Sequence, residues 1–324
     1  MSTTKLSIGI PVYNQVKTIR DTIESALNQI TPAYEIVVCE NHSTDGTADI
    51  VNEYKDRVKI VNPPVHLKMA ANWNYCVNSC KGDWVGLISG DDILYPNYTG
   101  AMITGINKRK DAIFVMGGWN VHNKIIDRIE PRYLLSMKQI TITPKTTKML
   151  LSGPKASFSS FCFKKETFTK IGGYNENFHL CQDWIFQFEM SLTGGSFIKS
   201  NEIISKYIIE DRYTLNRNRI ILHIEDQRNY LSSKIWEARN VGIKTAEIVK
   251  SGGKVFLNLL SYISSNNFEG KDNISLNLKE IAVKFNMLNI YNVWLINGEL
   301  PQKNHTKYLV LKFLRKLYNN YKKI

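Results

Sequence analysis

The chain has 324 residues, 43% hydrophobic and 22% charged, with a formal net charge of +13. That is apolar material enough for one large domain or two ordinary ones, and it excludes a disordered chain. Residues 301 to 324 hold seven of the basic residues and no acid, so half of the excess that invites a nucleic-acid reading sits in one tail, and no nucleic-acid-binding motif accompanies it.

Residues 5 to 10 read as a strand, and Ile19, Ile23, Ala26, Leu27 and Ile30 then recur at helical spacing. A strand at 35–39, a helix over 47–54, a strand over 58–61, a helix over 69–80 and a strand over 84–88 follow. This βαβαβαβ run predicts a mostly parallel sheet whose strand ends converge on one crevice. A strand at 112–116 leads into a hairpin turned at Asn123-Lys124. Beyond it come a Ser- and Phe-rich strand over 158–163, a turn at Gly172-Gly173 and a helix from near Asp183. After about Arg217 the spacing is helical at 220–239, 257–264, 278–285 and 308–321. A boundary near residue 215 therefore divides a domain of residues 1–214 from a helical region of 215–324.

The five cysteines lie mostly in apolar runs without a CxxC pair, which predicts buried free thiols in a reducing cytoplasm and no zinc site. The N-terminus has no leader pattern, and no apolar run is long enough to span a membrane.

Asp91 and Asp92 close the strand at 84–88. Adjacent carboxylates there repel unless a cation holds them, as at a metal–diphosphate site. Pro11 and Asn14 suit a strand-to-turn transition where a nucleotide can lie over bare backbone. The segment Ser43-Thr44-Asp45-Gly46-Thr47 reads as a turn and helix cap, giving Asp45 a structural role first. For Trp73, core packing outweighs ligand stacking.

In order and spacing, Pro11-Val12-Tyr13-Asn14, Ser43 to Thr47, Asn72-Trp73-Asn74, Ser89-Gly90-Asp91-Asp92, Gly172-Gly173-Tyr174 and Gln182-Asp183-Trp184 resemble the motifs of family 2 inverting glycosyltransferases, over about residues 5 to 214. The resemblance implies a GT-A fold, a Rossmann-like α/β sheet with helices on both faces, here followed by the helical C-terminal region. It implies transfer of a sugar from a nucleotide sugar, a UDP-sugar, to a saccharide or lipid-linked acceptor, and the Asn-Trp-Asn signature points to surface-polysaccharide synthesis.

The resemblance makes Asp183 the base and assigns nucleotide contacts to Pro11, Tyr13, Asn14, Glu40 (to the uracil), Lys68, Asn74 and Asp91. Asp91 and Asp92 would hold Mn²⁺ or Mg²⁺, joined by Glu210, and Arg212 would meet a phosphate. The chain departs from the family at Ser89, Gln182 and Ile208. Gln182 in place of an acid removes a like charge beside Asp183, which should make Asp183 less basic. A non-catalytic nucleotide- or saccharide-binding module is the competing class; a nucleotidyltransferase would need a glycine-rich basic loop that Val12 to Gln15 does not offer. The tail, 303–324, alternates apolar and basic faces and suggests peripheral contact with anionic lipid on the cytoplasmic face of the membrane.

Overall fold

The computed structural model describes residues 4–134, 137–209, 217–265 and 271–285. The chain falls into two compact units, Met1–Asn216 with Glu237–Ile243, and Arg217–Trp236 with Lys244–Ile324.

The first unit is built on one sheet. Its strands are β1 (Leu6–Val12), β2 (Glu35–Glu40), β3 (Lys59–Val61), β4 (Trp84–Leu87), β5 (Ile93–Leu94), β6 (Ala112–Asn123), β7 (Arg128–Arg132), β8 (Ile140–Ile142), β9 (Phe161–Lys164) and β10 (Ser196–Ile209). The spatial order is β3-β2-β1-β4-β9-β6-β10-β5, with β7 on β6 and β8 on β10. β1 to β4 pair in parallel. β9 runs antiparallel to both β4 and β6, and β10 is parallel to β6. The carboxyl ends of β1, β2, β4, β6 and β10 therefore share one edge.

Every residue of β1 is buried, the continuous apolar run expected of a central parallel strand covered on both faces. Helix α1 (Ile19–Leu27) buries Ile19, Thr22, Ile23 and Ala26, a stripe at helical spacing, and α2 (Thr47–Asn52) and α3 (Met69–Ser79) complete the alternation. Gly86 in β4 lets a tyrosine lie against the strand: a Cβ there would collide with the Tyr98 hydroxyl. Tyr98 opens α4 (Tyr98–Ile106) and donates to the Phe161 carbonyl at 2.9 Å, joining α4 to β9 through the sheet.

Three features differ from the sequence expectation. The Ser/Phe segment begins as a 3-10 turn at Phe158–Ser160 and becomes a strand only at Phe161. Helices α4, α5 (Lys145–Leu150) and α6 (Lys165–Ile171) form where threonine, glycine and short length weaken the helical signal. The fourteen-residue β10 is broken in pattern by Lys199 to Glu202, where its register against β6 shifts. Helix α7 (Gln182–Leu192) starts one residue before Asp183.

The second unit holds α8 (Arg217–Ser232), α9 (Thr245–Ser265) and α10 (Lys271–Lys284). Gly252 brings α9 against Phe285, whose ring stacks on Trp236 at 5.5 Å. Glu210, Arg212 and the tail from 303 lie outside the described residues. No helix among the described residues is long and apolar enough to cross a membrane, and all five cysteines are buried free thiols.

Candidate active site

Three segments interlock at the carboxyl ends of β1 and β2. Asn14 takes a left-handed backbone (φ 52°), which Asn tolerates. Its N–H donates to Ser43 Oγ at 3.0 Å, and its side-chain oxygen accepts from Thr44 N at 2.8 Å. Asp45 caps the turn, accepting from Val16 N, Thr47 N and Thr47 Oγ1. Asn41 clamps the third segment through two bonds of 2.8 Å with the Leu67 backbone. His66, one residue before, places its ring 4.4 Å from that of Tyr13. Tyr13 is 42% exposed, so this aromatic pair faces solvent beside Pro11, with Lys68 exposed two residues on.

Glu40, the last residue of β2, is 5% exposed. Its carboxylate accepts from Ser43 N at 2.7 Å, His42 N at 3.1 Å and Asn62 Nδ2 at 3.2 Å. Glu40 therefore shapes the left-handed turn at His42 (φ 59°), and a uracil contact would have to share oxygens that already have donors.

At the end of β4 the acidic pair divides its work. Asp92 is 1% exposed; one carboxylate oxygen accepts from Ser159 Oγ at 2.6 Å and the other from Ile208 N at 3.2 Å. Ser159 Oγ also accepts from Ser89 N at 3.1 Å. Asp92 thereby ties β4 to β10 and to the 158–160 turn, because a buried carboxylate needs donors and these supply them. Asp91, 2% exposed, stands beside it. Among the described residues no three or more His, Cys, Asp or Glu side chains gather into a metal-holding group. Asp91 alone fits the sparse mode in which Mg²⁺ or Mn²⁺ takes one protein carboxylate and completes its shell with substrate phosphate and water.

Asn74, expected on the nucleotide, is also committed elsewhere. It accepts from Tyr174 N at 2.7 Å and donates to Tyr174 O at 3.0 Å, pairing like a strand with the segment after the Gly172-Gly173 turn. Both glycines have φ +83°, and a Cβ on Gly173 would collide with the Asn74 amide. Asn74 is therefore a clamp on the motif leading to α7.

An aromatic layer connects these parts to Asp183. Phe158, next to Ser159, packs at 4.2 Å on Trp73 and at 6.2 Å on Tyr174. Tyr174 stacks at 4.1 Å on Phe186, one turn beyond Asp183. Burial, and then the charge of Asp183, holds the Tyr174 phenol above its ordinary value. Trp73 is thus a packing residue between Phe158 and Tyr174.

Asp183 sits in the first turn of α7, half-buried, and accepts from Trp184 N at 2.7 Å. Burial pushes its carboxyl up to about 6, against the lowering effect of that hydrogen bond. Desolvation raises the carboxyl above that of a free aspartate, an effect separate from the missing charge at Gln182. A carboxylate that titrates near neutrality and is fixed on a helix is equipped to accept a proton. Sequence reasoning missed Ser159 and His66, whose only linear signals are a serine among phenylalanines and a histidine two residues before Lys68.

Residues 7–165 match the family model described as Glycosyl transferase family 2. The chain is 30% identical to the putative glycosyltransferase EpsE of Bacillus subtilis over 110 residues, 33% of this chain and 40% of EpsE. It is 39% identical to WfaP of Escherichia coli, a UDP-Glc:alpha-D-GlcNAc-diphosphoundecaprenol beta-1,3-glucosyltransferase, over 88 residues, 27% of this chain and 35% of WfaP. The matched stretches thus span less than half the length of these relatives. Among solved structures, S. aureus TarS 1-349 in complex with UDP-GlcNAc shares the fold, with a TM-score of 0.65 and 13% identity over 91% of this chain and 93% of that one.

Proposed function

Because the chain belongs to glycosyl transferase family 2 and has the GT-A fold, we propose that it transfers a sugar from a UDP-sugar to a saccharide or lipid-linked saccharide acceptor with inversion, in surface-polysaccharide synthesis. The observation that carries this reading is Asp183, a carboxyl raised to about 6 on the first turn of α7 and joined by one aromatic layer to the turn that holds Asp92.

In this reading the nucleoside lies against Pro11, Tyr13, Asn14 and His66, with Glu40 beneath and Lys68 toward the diphosphate. Asp183 removes the acceptor hydroxyl proton. The freed oxygen bonds to the anomeric carbon as the bond from that carbon to the diphosphate oxygen breaks on the opposite face, and the electron pair leaves with the nucleoside diphosphate. Asp91 would hold a Mg²⁺ or Mn²⁺ ion, which as a Lewis acid neutralises charge on the departing diphosphate. Glu210 and Arg212 remain assigned to the metal and a phosphate. The tail, 303–324, is assigned to peripheral contact with anionic lipid at the cytoplasmic face. The names of WfaP and of the TarS complex support the donor class, and that of WfaP supports a lipid-linked acceptor.

The test is a panel of UDP-sugars incubated with the protein and Mn²⁺, with free UDP measured and the anomeric configuration of any product read by NMR. Release of UDP from one or two donors and an inverted product are expected. Donors left intact across the panel would make the protein a binding module, and a retained configuration would remove Asp183 from the proposed role.

A further inference from the structure

The hairpin of β6 and β7 has an amphipathic pattern turned inside out. Side chains alternate across a strand, so Arg128, Glu130 and Arg132 share one face of β7 while Ile129, Pro131 and Tyr133 share the other. The first face is an ion ladder, with Glu130 accepting from Arg128 at 2.9 Å and from Arg132 at 2.8 Å. On the second, Ile129 is 55% and Tyr133 is 53% exposed. At the turn, Ile125 and Ile126 are 59% and 63% exposed, held by Asn123, whose side-chain oxygen accepts from both of their N–H groups. Four large apolar side chains are thus presented to solvent within nine residues, which marks an interaction surface.

The position and chemistry of this ribbon select its partner. Its tip continues from the carboxyl end of β6, where Asn123 is in register with Ile209 of β10, so it projects from the same sheet edge that carries Tyr13 and Asp91. Lys124 on one side and Asp127 with Arg128 on the other flank the two isoleucines, Asp127 lying 3.5 Å from His122 Nε2, and Tyr133 lies nearer the base; the apolar tip, its two cations and the amphipathic tyrosine are the groups that meet a bilayer interface. Strand addition by a second copy is disfavoured, because Pro131 removes an N–H from the middle of β7.

We propose that this ribbon is a membrane-docking element: Ile125 and Ile126 enter the acyl boundary of an anionic bilayer, Lys124 and Arg128, the latter beside its Glu130 partner, meet lipid phosphates, and the carboxyl edge of the sheet is held toward the membrane surface. It acts independently of the basic tail, and it goes beyond the glycosyl-transfer reading.

The test is co-sedimentation of the full chain with phosphatidylglycerol/phosphatidylcholine vesicles and with phosphatidylcholine alone. The double variant Ile125→Asp, Ile126→Asp should lose at least tenfold in partitioning onto the anionic vesicles, while Ile125→Leu, Ile126→Leu should keep it; partitioning should fall as salt is raised. An unchanged melting temperature shows that the aspartate variant is folded, and UDP release from its donor reads the transfer chemistry separately. Equal partitioning of the aspartate variant and the wild type overturns the proposal. So does a wild-type dimer in sedimentation velocity that the aspartate variant abolishes, which would give the surface to a second copy.

Discussion

Replacing Asp183 by Asn should make the protein more stable at alkaline pH. The folded carboxyl titrates near 6 and the unfolded one near 3.8, so the folded state holds the proton more tightly. Stability from this group is therefore complete below about 3.8, falls as pH rises between the two values, and is fully lost above about 6. The gap corresponds to ~3 kcal/mol at pH 8, of which ~1.5 kcal/mol has developed by pH 5; the partly open carboxylate makes both figures upper values. Asparagine can still accept from Trp184 N and carries no charge to bury. Urea denaturation of wild type and Asp183→Asn at pH 5 and pH 8 reads the difference, followed by tryptophan fluorescence, since four of the six tryptophans (Trp73, Trp84, Trp119 and Trp184) lie in the first unit. The variant should gain more at pH 8 than at pH 5. A variant less stable at pH 8, or a gain independent of pH, would show that Asp183 is not an acid strained by burial.

Ser159→Ala leaves an Asp92 oxygen and Ser89 N without their shared partner and should cost ~1.5–3 kcal/mol in urea unfolding; a loss under 0.5 kcal/mol, within the range of about ±0.5 for surface changes, would mean that Asp92 does not depend on it. In a double-mutant cycle of Tyr13→Ala and His66→Ala, UDP affinity by calorimetry should show a coupling of ~0.5–1.5 kcal/mol. Strictly additive effects would separate the pair from the nucleotide platform. Asp91→Ala should erase the dependence of UDP affinity on Mn²⁺, whereas a variant that still responds to the ion would move the metal elsewhere.

The fold was legible where local pattern decides it. The buried runs of β1, β2 and β4 and the helical spacing of α1 and α3 are continuous in sequence, so the parallel half of the sheet can be read directly. Asn14 and the glycines at 172 and 173 announce their positive φ by residue type, and the hydrogen bonds of Asp45 stay within its own turn and the adjoining Val16 segment. What escaped depends on distant partners. Asp92 is satisfied by residues 67 and 116 positions away, and Asn74 by one 100 positions away, so no local pattern could separate a ligand from a brace there. β10 was hidden because its polar centre falls where its register slips. Burial of Asp183 was equally out of reach, since the aromatic layer around it gathers Trp73, Phe158, Tyr174 and Phe186 from separate segments.

The decisive measurement is turnover and donor affinity of Asp183→Asn side by side, with the UDP-sugar that the wild type cleaves. A base at this position requires that transfer fall by at least ~10² while the calorimetric affinity for UDP stays within about twofold, a change of only ~0.4 kcal/mol. Turnover that survives the substitution would contradict the account.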